Sequence, residues 1–90
     1  MKKKLERDLD YELRFDDKAI SYLEKLPKTI SHRIFKKLQD SKKNPFHYFD
    51  RLEGRKEYKL RVGDYRVIVD IYRKEIVIFV VDIGHRRNVY

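Results

Sequence analysis

The sequence of 90 residues contains no cysteine. That excludes disulfides, thiolate nucleophiles and thiolate metal sites. No apolar run approaches the roughly 20 residues that a membrane-spanning helix needs. The basic start, Met1-Lys2-Lys3-Lys4, is not followed by an apolar signal segment. A cytoplasmic protein with no membrane partner is therefore expected. Glycine is limited to three residues and proline to two, with no Gly/Ser linker, no repeat and no low-complexity block beyond the lysine start. One domain over residues 1–90 is expected. Neither a phosphate-loop glycine pattern nor a nucleophile elbow is found. His32 and His47 stand apart from any Asp or Glu at ligand spacing. Neither a metal site nor another cofactor is expected.

What the chain does have is charge. Lys and Arg number 23 against 15 Asp and Glu, a formal net charge of +8, and 42% of residues are charged. A surface dense in ion pairs would explain the amount of charge but not its sign. The excess suits a polyanion, and nucleic acid comes before an anionic membrane because no basic amphipathic helix stands out.

Tyr11, Leu13 and Phe15 alternate with Glu12 and Arg14, the pattern of a half-buried strand. Asp16 or Asp17 is suited to cap a helix in which Ala19, Ile20, Leu23 and Leu26 recur at helical spacing, with Pro27 ending it. A second helix is expected from about Thr29 to Lys42, with Ile30, Ile34, Phe35 and Leu38 on one stripe. Asn44-Pro45 stops it, and the segment to Gly54 reads as a loop. Three strands follow, at about 56–62, 65–72 and 76–83, the last apolar on both faces as an interior strand is. The expected fold is α+β, a helical hairpin packed on a four-stranded antiparallel sheet in the order β-α-α-β-β-β. No apolar stripe should then remain uncovered, so the isolated chain is expected to be monomeric.

Gly63-Asp64 suits a two-residue type II′ hairpin turn, with Gly63 supplying the positive φ. The register then follows: Val62 faces Tyr65, Arg61 faces Arg66, Leu60 faces Val67 and Lys59 faces Ile68. Tyr58, Leu60, Val62, Tyr65, Val67 and Val69 share one apolar side that should meet the helices. Lys59, Arg61 and Arg66 share the other, with Asp70 further along. Directly opposed like charges repel, whereas a phosphate bound by guanidinium groups makes the arrangement favourable. The alternative is a solvated face whose arginines pair with Asp70 or Glu57. The tail, Asp82-Ile83-Gly84-His85-Arg86-Arg87-Asn88-Val89-Tyr90, leaves the last strand at Gly84. Its His85, Arg86 and Tyr90 combine a proton-transfer group, a phosphate binder and a ring able to stack on a base. A solvated terminus is the other reading.

At these residues the chain resembles the RelE/ParE toxin superfamily. The resemblance rests on Leu52-Glu53-Gly54, Tyr58-Lys59-Leu60-Arg61, Gly63-Asp64-Tyr65-Arg66-Val67-Ile68 and Ile83-Gly84-His85-Arg86-Arg87-Asn88-Val89-Tyr90, in that order over nearly the whole chain. The tail is more similar to the RelE nucleases than to the ParE proteins, which poison DNA gyrase. The resemblance implies a toxin of a type II toxin–antitoxin system that enters the ribosomal 30S A site, contacts mRNA and rRNA there, and cuts the mRNA codon without metal. It also implies a RelB-type antitoxin that masks the basic site in a higher-order complex. Carried over residue by residue, the resemblance implies a catalytic set of Lys59, Arg61, Arg66, Arg86, Tyr90 and His85, and RNA binding by Lys59, Arg61, Arg66, Arg86, Arg87 and Tyr90. Lys59 would accept the 2′ proton, Arg61 and Arg66 would stabilise the phosphorane, and Arg86 or His85 would support the leaving oxygen. Which of Lys59, His85 and Arg86 moves a proton stays open. The hairpin is about two residues shorter than in some relatives, so Lys59 and Arg61 can exchange places in the alignment, and His85 stands where some relatives carry lysine. A gyrase-directed, non-catalytic ParE-type toxin is the alternative.

Overall fold

The structure, a computed structural model, describes residues 10–85. Strand β1 (Glu12–Phe15) leads into helix α1 (Asp17–Lys25), and helix α2 (Lys28–Ser41) follows. Asp16 caps α1 by accepting a hydrogen bond from the Lys18 N–H at 3.0 Å. Leu26 and Pro27 separate the two helices, as a residue that lacks a backbone donor favours. A single-turn helix α3 (Pro45–Tyr48) and a two-residue strand β2 (Asp50–Arg51) precede β3 (Tyr58–Val62), β4 (Tyr65–Tyr72) and β5 (Val77–His85). No helix among the described residues is long and apolar enough to cross a membrane.

The sheet corrects the expectation in two respects. Among the described residues it has five strands, in the order β1-β5-β4-β3-β2, and it is mixed, because β1 lies parallel to β5. The Glu12 N–H donates to the Ile76 carbonyl and the Asp16 N–H to the Val80 carbonyl, each at 2.9 Å. Alternation in Tyr11–Phe15 marks a half-buried strand but carries no information on its neighbour or direction. The interior character of β5 demands two neighbours, and β4 supplies only one. The fifth strand comes from the 44–54 segment expected as a loop, where Pro45 starts α3 and Phe49, almost wholly buried, fastens the chain beside β3. A further correction concerns the tail: β5 does not release the chain at Gly84 but pairs through Gly84 and His85.

One face of the sheet carries the core. Leu60, Val62, Val67, Val69, Ile78, Val80 and Ile83 are buried there against Ala19 of α1 and Ile34 and Leu38 of α2. Val80 and Ile83 are three residues apart, a spacing that a straight strand would send to opposite faces. A bulge reconciles them: Val69 pairs with Val80 and Ile68 with Asp82, so Val81 is the extra residue. The helices do not cover every apolar group. Ile20 and Phe35 remain 40% and 42% exposed, and with Phe15, Leu23 and Leu26 they line an open apolar groove. The expectation that no apolar stripe stays uncovered is therefore not met.

Candidate nucleic-acid interface

The hairpin forms in the register read from the sequence. Val62 pairs with Tyr65, Arg61 with Arg66, Leu60 with Val67 and Lys59 with Ile68. Gly63 has φ +60° and Asp64 no positive φ, as a type II′ turn requires. Lys59, Arg61 and Arg66 consequently share the sheet face that points away from the helices. β5 continues the two rows, placing Gly84 beside Arg66 and Asp82 beside Ile68. Lys59 and Arg66 are diagonal neighbours, with Cα atoms about 7–8 Å apart. Gly84, in the row next to Arg66, adds no side chain of its own to the face.

Three acids near this face among the described residues, Asp70, Asp82 and Glu57, have partners of their own. Asp70 accepts a hydrogen bond from the Tyr72 hydroxyl at 3.4 Å, and Asp82 lies 3.8 Å from Lys18. Glu57 pairs with Arg55 at 3.2 Å. A hydrogen bond from its own backbone N–H, helped by Arg55, holds the Glu57 carboxyl below the usual range. Among the described residues neither Lys59 nor Arg61 makes an ion pair, although Asp50 stands beside Lys59 in register. Lys59 and Arg66 are half-buried and Arg61 is exposed. Such a face can bind a multiply charged oxyanion through bidentate and point-charge contacts.

His85 is placed differently. It pairs with Tyr65, and the two rings meet edge to face with centroids 5.6 Å apart. Tyr65 packs against the core, so His85 lies on the helix side of the sheet rather than with the three cations. Arg86, Arg87 and Tyr90 lie outside the described residues. Among the described residues no group of three or more His, Asp or Glu is arranged to hold a metal ion.

Two cations on α2 also approach the hairpin, and the sequence reading missed them. An Arg33 guanidinium nitrogen lies 3.2 Å from the position a Cβ would take on Gly63. Lys37 shares a cleft with Arg61 at the edge of β3. Their spacing of four residues, one helical turn, was the available signal.

The chain matches the family described as "ParE toxin of type II toxin-antitoxin system, parDE" over residues 13–90. It is 30% identical over 81 residues to the mRNA interferase toxin RelE of Escherichia coli K12, covering 87% of this chain and 85% of that protein. The toxin in the intact E. coli RelBE toxin–antitoxin complex superposes with a TM-score of 0.74 at 28% identity, covering 83% of this chain and 95% of that one. The archaeal RelE–RelB complex of Pyrococcus horikoshii gives 0.76 at 25% identity, covering 90% and 100%. A superfamily match over most of the chain, relatives named RelE and a shared mixed-sheet fold agree: the chain belongs to the RelE/ParE superfamily of toxins of type II toxin–antitoxin systems.

Proposed function

We propose that this protein is a metal-independent endoribonuclease that cleaves messenger RNA in the ribosomal A site and so stops translation. The observation that carries the reading is the clustering of Lys59, Arg61 and Arg66 on one sheet face, where neither Lys59 nor Arg61 makes an ion pair with an acid among the described residues. The 30%-identical relatives named mRNA interferase support the same chemistry.

In this mechanism the nucleophile is the RNA's own 2′-hydroxyl. Lys59, as the free amine, takes its proton while the oxygen attacks the adjacent phosphorus. Arg61 and Arg66 stabilise the negative charge that grows on the phosphorane oxygens. The bond to the 5′-oxygen breaks, that oxygen is protonated from solvent, and Arg86 stabilises it as it leaves. The products are a 2′,3′-cyclic phosphate and a 5′-hydroxyl. The strand register favours Lys59 over His85 as proton acceptor, because His85 is directed to Tyr65 on the other side of the sheet. Arg87 and Tyr90 act on the bound RNA, Tyr90 by orienting a base. A RelB-type antitoxin silences the toxin by covering the cationic face, and the apolar groove around Ile20 and Phe35 offers it further area to bury.

The family match to ParE toxins favours a second reading, inhibition of DNA gyrase by protein contact alone. Product analysis separates the two. The nuclease reading expects fragments with cyclic phosphate and 5′-hydroxyl ends from a translating extract. Intact RNA together with loss of gyrase supercoiling would support the second reading.

A further inference from the structure

β2 pairs with β3 only at Tyr58 and Lys59, so among the described residues the outer edge of β3 at Leu60–Val62 has no strand partner. Arg33 and Lys37 of α2 flank that edge. Arg33 reaches the turn at Gly63, and Lys37 borders a cleft lined by His47, Tyr48, Asp50, Leu60 and Arg61. The two cations are a turn apart, about 6 Å along the helix axis. Both are exposed, and neither makes an ion pair among the described residues, whereas their neighbour Lys36 pairs with Asp40 at 3.7 Å. Asp50 supplies the lining's one carboxylate, against Lys37 and Arg61. The His47 and Tyr48 rings meet edge to face at 5.6 Å and add flat apolar surface to the cleft. Arg61 belongs to both this cleft and the sheet face, so the two features are contiguous.

We propose that Arg33, Lys37 and the cleft beside them form a second phosphate site, which binds the sugar–phosphate backbone of RNA where it leaves the cationic sheet face. The occupant rests on the nuclease reading above. Cations spaced along a helix axis suit successive phosphates of a single strand, and the cleft's rings suit stacking of an unpaired base. A strand held at both sites turns around the open edge of β3, with Arg61 at the corner. The backbone in question comes either from the message or from ribosomal RNA, which share this chemistry.

The test uses the full chain and a short single-stranded RNA with 2′-O-methyl sugars, which cannot be cut. Affinity is followed by fluorescence anisotropy from about 50 to about 200 mM salt. In the Arg33→Gln, Lys37→Gln double variant the slope of log affinity against log salt is expected to fall by about 1.4, two phosphates at about 0.7 each. A control that removes two exposed cations elsewhere, Lys28→Gln with Lys74→Gln, is expected to leave the slope unchanged. Far-UV circular dichroism checks that α2 is intact. In parallel, cleavage is measured against ribosome concentration, with turnover at saturation expected to hold. A reduced slope on the free strand assigns the message backbone. A raised half-saturating ribosome concentration with an unchanged free-strand slope assigns ribosomal RNA. If neither quantity moves, the site does not exist. Because the strand is uncleavable, loss of the nuclease reading would leave this binding result independently readable.

Discussion

Arg61 stands directly opposite Arg66 across the β3–β4 ladder, on the sheet face turned away from the helices. Opposed like charges destabilise an antiparallel pair, and among the described residues Arg61 makes no ion pair that offsets this. Arg61→Gln is therefore expected to keep stability or raise it by up to about 1 kcal/mol, while slowing RNA cleavage. Urea denaturation and a cleavage assay on the same preparation check both parts. A variant that is less stable and fully active would show the charge pair to be structural.

His85 and Tyr65 make the opposite case. Their rings pack together on the helix side of the sheet, away from Lys59. Removing a general acid or base lowers rates by about 10²–10⁴. His85→Ala is expected to lose less than about tenfold, far below that range. Single-turnover cleavage measures it, and a loss within the general-base range would move proton transfer to His85.

The turn that aligns the cations depends on Gly63. At φ +60° any side chain is strained, and a Cβ there would lie 3.2 Å from the Arg33 guanidinium. Gly63→Ala is expected to cost about 1–2 kcal/mol in chemical denaturation. An unchanged midpoint would mean that the turn adopts another conformation.

Leu38 is fully buried between α2 and the sheet. Leu38→Ala should destabilise by about 2–5 kcal/mol through lost burial and the cavity it leaves. For a domain of this size that is a large share of the whole, typically about 5–15 kcal/mol. Asp16→Ala, which removes only the cap on Lys18 N–H, should cost about 1 kcal/mol. Thermal unfolding ranks the two, and equal losses would contradict the core described here.

The hairpin was legible because its turn chemistry and two-residue periodicity are local. Gly63-Asp64 fixed the register, and the register put Lys59, Arg61 and Arg66 on one face. The parallel pairing of β1 with β5 was not legible, since Leu13 and Phe15 alternate identically whichever way their neighbour runs. Nor was the bulge at Val81: a run from Val77 to Val81 with no polar residue cannot show where one residue is skipped. Helix α3 and β2 are too short to carry a period, and they exist because Pro45 and Phe49 are buried. Ile20 and Phe35 kept the helical spacing of core residues yet line an open groove, because spacing gives a direction around the helix and not what lies there. Arg33 and Lys37 escaped notice for the same reason. Their meaning comes from the β3 edge that they flank.

If the cationic face cuts messenger RNA on the ribosome, mapping the cut shows it most directly. Purified protein is incubated with programmed ribosomes, and mRNA ends are located by primer extension, beside the Arg66→Ala variant. Cuts inside the A-site codon are predicted for the native chain, with a rate lower by about 10²–10³ when Arg66 is removed. Intact mRNA from a folded, antitoxin-free protein, or undiminished cutting by Arg66→Ala, would contradict it.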